Sequence, residues 1–312
     1  MVGLREAEKI EIITLMDNYT DCIIPSSQKV KRNLHYKNGK VVPPLMAEHG
    51  LSLLIKVFEN GRSHSLLLDA GWSETGVLHN LRRLGIEANK IEAAVLSHGH
   101  MDHYGALKSI LNLKSESIPV IVHPDVFLRN RFIVLPDGEK IRFPVLEENT
   151  FQKTGAQIIK NKSPYLLLSD LALVTGEIER ATDFEKGMPN AYLERAGKIE
   201  PDRILDDQAI VVHLKGKGLV IITGCAHSGI INTIHYAQKL TGVMPVYAII
   251  GGFHLSGPAF EPIIDKTLEK LKALKPAIIS PMHCTGWKAT VEIAKQMPHQ
   301  FVLSSVGTTL TL

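Results

Sequence analysis

No stretch of the 312 residues approaches the roughly 18 consecutive apolar positions of a membrane-spanning helix. The opening segment MVGLREAEKIEII also lacks an apolar run leading to a small-residue cleavage site. A cytoplasmic protein with no membrane partner is expected. Cysteine is scarce: Cys22, Cys225 and Cys284 form an odd set, too sparse for the disulfide framework of a small secreted scaffold, which points to a reducing compartment. Excess charge is lacking as well. Thirty-five Lys and Arg against 32 Asp and Glu leave a net +3, far from the concentrated basic footprint of a dedicated nucleic-acid binder, so no nucleic-acid partner is expected. Neither G-x-G-x-x-G nor a phosphate-binding P-loop occurs, which leaves nucleotide binding by those devices unsupported. Against these absences, 45% hydrophobic residues suffice for a sizeable core, and 14 histidines stand out, because histidine is the commonest metal-ligating side chain.

The chain reads as alternating strands and helices. Early strands are expected at Ile10 to Met16, Leu51 to Phe58 and Ser65 to Leu68. A helix from Glu74 to Leu84 should end at Gly85, followed by a strand from Ile91 to His98, a short helix from Gly105 to Leu111 and a strand over Pro119 to Val122. From about 124 to 205 periodicity weakens, and an irregular insertion of strands and long loops is expected to shape the substrate pocket. Alternation then returns: strands in DDQAIVVHL, GLVIITG, PVYAIIGG and PAIISP, helices over Gly229 to Leu240, Glu261 to Leu274 and Trp287 to Gln296, and a final strand. The two halves look architecturally alike without a sequence repeat. One α/β domain spanning 1–312, two sheets sandwiched with helices on both outer faces, fits better than two separable units.

The segment SHGHMDHYG at 97–105 carries the chemistry. His98, His100, Asp102 and His103 fall within six positions directly after a buried strand. In an extended turn 98, 100 and 102 share one side while 103 is directed elsewhere, so the segment can serve two neighbouring ions, one held by the His pair and the other by Asp102 with His103. The alternative is a polar loop in which Asp102 merely caps the following helix.

This string resembles the H-x-H-x-D-H signature of the metallo-β-lactamase superfamily, whose αββα four-layer sandwich agrees with the layout above. The resemblance implies one or two divalent metal ions per chain, with zinc, iron and manganese all suited to histidine and carboxylate and zinc the first expectation. LLLDAG at 66–71 resembles the superfamily's Asp-x-Gly turn, which makes Asp69 a candidate for orienting a ligating imidazole. Three further histidines follow strand-like runs and should reach one rim of the sheets: His227, His254 and His283. His283 resembles the superfamily's last histidine ligand and should complete the Asp102 and His103 site, while His227 should complete the His98 and His100 site. His254 is open between ligand and substrate contact. Many members present a metal-bridging aspartate after a strand as Gly-Asp, but here the strand ends Thr223, Gly224, Cys225. Cys225 is therefore either a thiolate ligand or a small buried hydrophobe.

Further strings narrow the resemblance to one branch. AEHGLS at 47–52, TGEIER at 175–180, DDQA at 206–209, TGCAHSGIIN at 223–232, GGFHL at 251–255 and PMHCTG at 281–286 are similar to proteins like the dihydropterin–ribofuranosylaminobenzene phosphate synthase of methanopterin biosynthesis. The implied enzyme acts on a small anionic substrate, phosphorylated and pterin-like, with metal stabilising a departing diphosphate as an arylamine phosphate attacks. Two other readings share the same residues. One is a metallohydrolase of a phosphodiester, cyclic phosphate or lactone, in which Asp102 orients water or accepts its proton. The other is a metal- or redox-responsive binding protein using Cys225 and Cys284. Candidate substrate contacts are His49 and Glu177; Arg129 and Arg131 are positioned in sequence to meet a phosphate bidentately. A homo-oligomer is compatible with all of these.

Overall fold

A computed structural model describes residues 1–33 and 35–312. Two large sheets pack face to face. The first has eight strands in the order Gln157–Lys160, Pro119–Val122, Ala93–Val95, Arg62–Leu68, Ser52–Glu59, Lys9–Met16, Thr309–Thr311 and Val30–Lys31. The second runs Tyr165–Leu167, Ala172–Val174, Ala209–Leu214, Gly218–Thr223, Val246–Gly252 and Ile278–Met282, with Glu6–Ala7 paired to Ala209–Leu214. Both are mixed, as strands joined alternately by hairpins and helical crossovers must be.

Side-chain alternation explains the layers. Leu66 and Leu68 face inward with Ile10, Ile12, Leu53 and Ile55, meeting Ile210, Val212, Val220, Ile222 and Ile250 of the second sheet in one buried cluster. Leu67, between them, points outward with Leu54 and Ile13, against Val77 and Leu81 of helix Gly76–Leu84 and Leu107, Ile110 and Leu111 of helix Leu107–Asn112. On the far side Val211, Leu219, Ile221 and Ile249 bury against Ile230–Thr241, Ile264–Leu274 and Trp287–Gln296. Strands apolar on both faces thus produce helix, sheet, sheet and helix layers, the arrangement expected from the sequence.

Helix ends follow the glycine signals. Gly85 adopts φ 68° and its N–H bonds to Arg82 O, closing helix Gly76–Leu84, while Gly242 at φ 73° closes Ile230–Thr241. The strand anticipated over Ile91 to His98 is shorter, Ala93–Val95, because the chain leaves the ladder to form the histidine loop. Within 124–205, strands Gln157–Lys160, Tyr165–Leu167 and Ala172–Val174 belong to the two main sheets. Lys140–Arg142, Arg131–Val134, Ala191–Arg195 and Lys198–Pro201 form a separate four-stranded sheet. Among the described residues, no helix is long and apolar enough to cross a membrane.

Candidate metal centre

Strand register brings the chemistry to one rim. Leu68 pairs with Val95 in parallel, as do Thr223 with Gly251 and Gly252 with Met282, so the loops carrying Asp69, His98–His103, Cys225–His227, His254 and His283 all leave at matching strand ends. The backbone enters the left-handed region at Asp69 (φ 59°), Ala226 (φ 54°), His254 (φ 45°) and His283 (φ 49°). Such conformations persist in non-glycine residues where surrounding structure over-determines them. Gly224 is required for a different reason: a Cβ there would lie 2.0 Å from Ser97 Oγ and 3.0 Å from Asp69 Oδ2, so the second sheet's loop approaches the first sheet's as only glycine allows.

The side chains converge in two overlapping groups. His98, His100 and His227 present ligand atoms all within 4.8 Å of one another. His98 Nε2 stands 3.2 Å from His227 Nε2. Beside them, Asp102 Oδ2 lies 3.2 Å from His283 Nε2 and 3.8 Å from His103 Nε2. Cys225 Sγ falls between the groups, 3.2 Å from His103 Nε2, and shares a 4.8 Å neighbourhood with His98 and His103, with His227 and His254, and with His283 and Cys284. The sulfur is thus buried yet surrounded by ligand-type atoms. Asp102 caps no helix: the N-cap of Leu107–Asn112 is Ala106 and receives no side-chain bond.

Charge distribution follows from burial and neighbours. Burial and the surrounding imidazoles hold His98 and His227 well below the ordinary histidine range, and burial beside Arg131 lowers His100 to about 4. Burial also opposes a charge on His103, but the Asp69 and Asp102 carboxylates outweigh it and raise that ring to about 9. For Asp102, burial is overcome by His103 and His283, which hold its carboxyl far below the usual carboxylate range. Several buried ring nitrogens have no hydrogen-bond partner: His100 Nε2, His227 Nδ1, His254 Nδ1 and His283 Nε2. Imidazole nitrogens, a thiol and a low-pKa carboxylate crowded this closely, several of them lacking a hydrogen-bond partner, are the donor set that suits a divalent cation.

The supporting contacts are equally specific. His103 Nδ1 lies 2.7 Å from Asp69 Oδ2, which also accepts from Ser97 Oγ at 2.7 Å while Asp69 Oδ1 accepts from Ser97 N. Asp69 therefore turns His103 Nε2 toward the cluster. Asn18 does the same for His283, its Oδ1 facing His283 Nδ1 at 3.1 Å and its Nδ2 donating to His283 O. Asp17 Oδ1 accepts from His283 N at 2.9 Å. Beneath the loop, Asp206 Oδ2 accepts from Gly99 N at 2.8 Å and Asp206 also binds Arg131 through Nη1 and Nη2, while Arg131 Nε reaches Asp202 at 2.6 Å. Sequence reasoning missed Asp17, Asn18, Asp202 and Asp206; DDQA contains Asp206, but nothing local couples it to a loop more than a hundred residues earlier.

Over the centre lies a cleft of about 340 Å³. His100, Asp102, Cys225, His227, His254 and Cys284 form its floor, and Trp72, Ile133, Ile141, Phe143 and Met188 its largely apolar walls. Ile133 and Ile141 come from the separate sheet. His49 stands at the mouth, its side chain 59% exposed and its Nε2 3.6 Å from Asp102 Oδ2. Glu177 does not line this cleft and faces His123 Nε2 at 3.6 Å. Arg131 is spent on its two buried carboxylates, and Arg129 pairs with Glu147 at 2.6 Å on the surface, so neither is placed to hold a phosphate here. Glu48 accepts from Trp72 N and Ser73 N, fixing the turn after Asp69.

Comparison with known proteins agrees with this architecture. The family model of the metallo-β-lactamase superfamily matches residues 47–283. A 7,8-dihydropterin-6-methyl-4-(β-D-ribofuranosyl)-aminobenzene-5′-phosphate synthase of Methanocaldococcus jannaschii is 31% identical over 264 residues, 83% of this chain and 88% of that protein. An uncharacterized protein of the same organism is 32% identical over 265 residues, covering 84% and 92%. Among solved structures, a metal-dependent hydrolase of the β-lactamase superfamily superposes with a TM-score of 0.70 at 23% identity over 97% of this chain and 98% of the other, a likeness of fold.

Proposed function

Because this chain belongs to the metallo-β-lactamase superfamily, we propose that it is a metal-dependent transferase joining a dihydropterin diphosphate to a ribofuranosylaminobenzene phosphate. The observation that carries this reading is the cleft itself. Its walls are aromatic and aliphatic, its floor is a cluster of ligand-type side chains, and among the described residues no Lys or Arg lines it. Such a cavity suits a flat heterocycle on apolar walls, with an anionic group directed to the floor rather than to a surface cation. The relative named as a synthase for this product supports that substrate class.

In this reading His98, His100 and His227 hold one divalent ion and Asp102, His103 and His283 a second, with Cys225 between them. When bound, such ions supply Lewis-acid stabilisation of charge developing on phosphate oxygens. The chain's own residues supply the order. Asp69 and Asn18 fix the tautomers of His103 and His283 so that each Nε2 lone pair faces the centre. Asn18 Nδ2 lies 3.3 Å from His49 Nδ1, which directs His49 Nε2 toward Asp102 and the mouth, where it is within reach of a substrate anion. Trp72 and Phe143 flank the ring and exclude water from the carbon under attack. There a C–N bond forms as the C–O bond to diphosphate breaks, and the arylamine proton passes to solvent. His254, close to His227 and lining the cleft, contacts substrate.

The test is diphosphate release from dihydropterin diphosphate with and without the arylamine phosphate. Transfer requires release that depends on the amine and yields the joined product. Release without amine would instead establish a hydrolase, and turnover of neither substrate by metal-loaded protein would refute the assignment.

A further inference from the structure

A second cleft, about 830 Å³, shares no lining residue with the metal-side cleft. It lies where strands Lys9–Met16, Ser52–Glu59 and Thr309–Thr311 pass the end of helix Gly76–Leu84, and among the described residues it is lined by Lys31, Arg32, Lys56 and Arg83 with no Asp or Glu. Exposed lysines alone would carry nothing. Arg32 is different: it is only 8% exposed, and among the described residues it forms no ion pair. Its Nη1 donates to Thr308 Oγ1 at 2.7 Å, but its Nε is buried with no partner. The nearby Asp21 is engaged by the Tyr19 hydroxyl and by Ile23 N.

A guanidinium withdrawn from water with no carboxylate in direct contact is costly, and Arg presents a planar fork that matches an oxyanion. Arg32 is fixed at backbone and side chain: Ser26 Oγ accepts from its backbone N–H at 2.9 Å, and Thr308 Oγ1, which faces the guanidinium, also accepts from Ser305 N. Lys56 lies half-buried on the strand face that carries Ile13, and Arg83 arrives from the last turn of the helix.

We propose that this cleft binds the phosphate group of a small molecule, with Arg32 as its anchor and Lys31, Lys56 and Arg83 matching the remaining charge. The site is independent of the metal centre and of the reaction assigned to it. Calorimetric titration of the full chain, stripped of metal so that phosphate has no ion to bind, tests it with orthophosphate, pyrophosphate and ribose 5-phosphate. One site per chain is expected for at least one probe, weakened about tenfold or more both in Arg32→Met and in the Lys56→Gln/Arg83→Gln double variant. The double variant keeps the test valid if loss of the buried arginine disturbs folding. Saturation by orthophosphate identifies a free-phosphate site, and saturation by ribose 5-phosphate alone a phosphomonoester site. The proposal is overturned if no probe binds, if the double variant binds like the parent, or if binding is lost instead in His227→Ala, which would put the anion in the metal-side cleft.

Discussion

Replacing Asp206 by alanine tests whether the metal loop and the cleft wall are a single mechanical unit. Asp206 is fully buried, accepts from Gly99 N at 2.8 Å between His98 and His100, and pairs at 2.6 Å with Arg131, which starts a strand of the wall-forming sheet. Burial disfavours its charge, but Arg131 outweighs this and holds its carboxyl far below the usual range. Removing it leaves a guanidinium 3% exposed with only Asp202 as partner, at a cost of about 3–5 kcal/mol for a broken buried pair, and leaves Gly99 N–H unpaired for about 1–3 kcal/mol more. These contributions share a network and will not simply add. The informative comparison is the triple variant Arg131→Met/Asp202→Leu/Asp206→Leu. Apolar isosteres of a buried ionic cluster are often neutral or stabilising, so urea denaturation should show most of the lost stability recovered. Gly99 still lacks its acceptor there, and metal affinity should stay about 10–100-fold weak by competition with a chromophoric chelator. A triple variant with native metal affinity would refute the mechanical link; a loss below about 1 kcal/mol in Asp206→Ala would refute the energetic argument.

Asp102→Ala should lower metal content by about one ion per chain and abolish turnover with an unchanged circular dichroism spectrum; full activity at native metal content would remove Asp102 from the centre. Cobalt-loaded protein should show a near-ultraviolet thiolate-to-metal absorption that disappears in Cys225→Ser, and persistence of the band in that variant would make Cys225 a buried hydrophobe after all. Burial raises Asp207 to about 6, against which Ser228 N donates at 2.8 Å. A carboxyl whose folded pKa exceeds its unfolded value contributes stability fully present below the unfolded value, near 4, and lost as pH rises through about 6. For metal-stripped protein, the stability of the parent relative to Asp207→Asn should therefore fall by about 2 kcal/mol between pH 4.5 and 7.5, and a flat or rising difference would contradict the assignment.

The layers of the fold were legible because they depend on local pattern. Gly85 marked the end of its helix correctly, and Pro119–Val122 and Trp287–Gln296 lie where the apolar runs place them. The histidine loop was legible for a similar reason, since four ligand-type residues in six positions need no tertiary information. Asn18 was not. It acts on His283 across 265 residues of chain, and only the sheet's strand order brings them together. Arg131 was misread for a related reason: an arginine in an irregular stretch looks available for substrate until Asp202 and Asp206 fold onto it. Cys225 marks the limit of local reading, because burial and ligation both favour a cysteine at a strand end, and the tertiary approach of His103 Nε2 at 3.2 Å, with the other histidines around the sulfur, distinguishes its surroundings from an apolar core.

The placement of the Thr309–Thr311 strand has a consequence for biosynthesis. It lies inside the first sheet, between Lys9–Met16 and Val30–Lys31, so an early strand keeps an unpaired edge until nearly three hundred further residues have been made. At ordinary translation rates of about 5–20 residues per second that wait is roughly 15–60 s. On the proposed ligand assignment, His98, His100, Asp102 and His103 emerge early in this interval, His227 later and His283 near its end, so a nascent chain exposes four of six ligands before either set of three is complete. Faithful loading thus depends on what shields that open edge and those first ligands while the ribosome finishes.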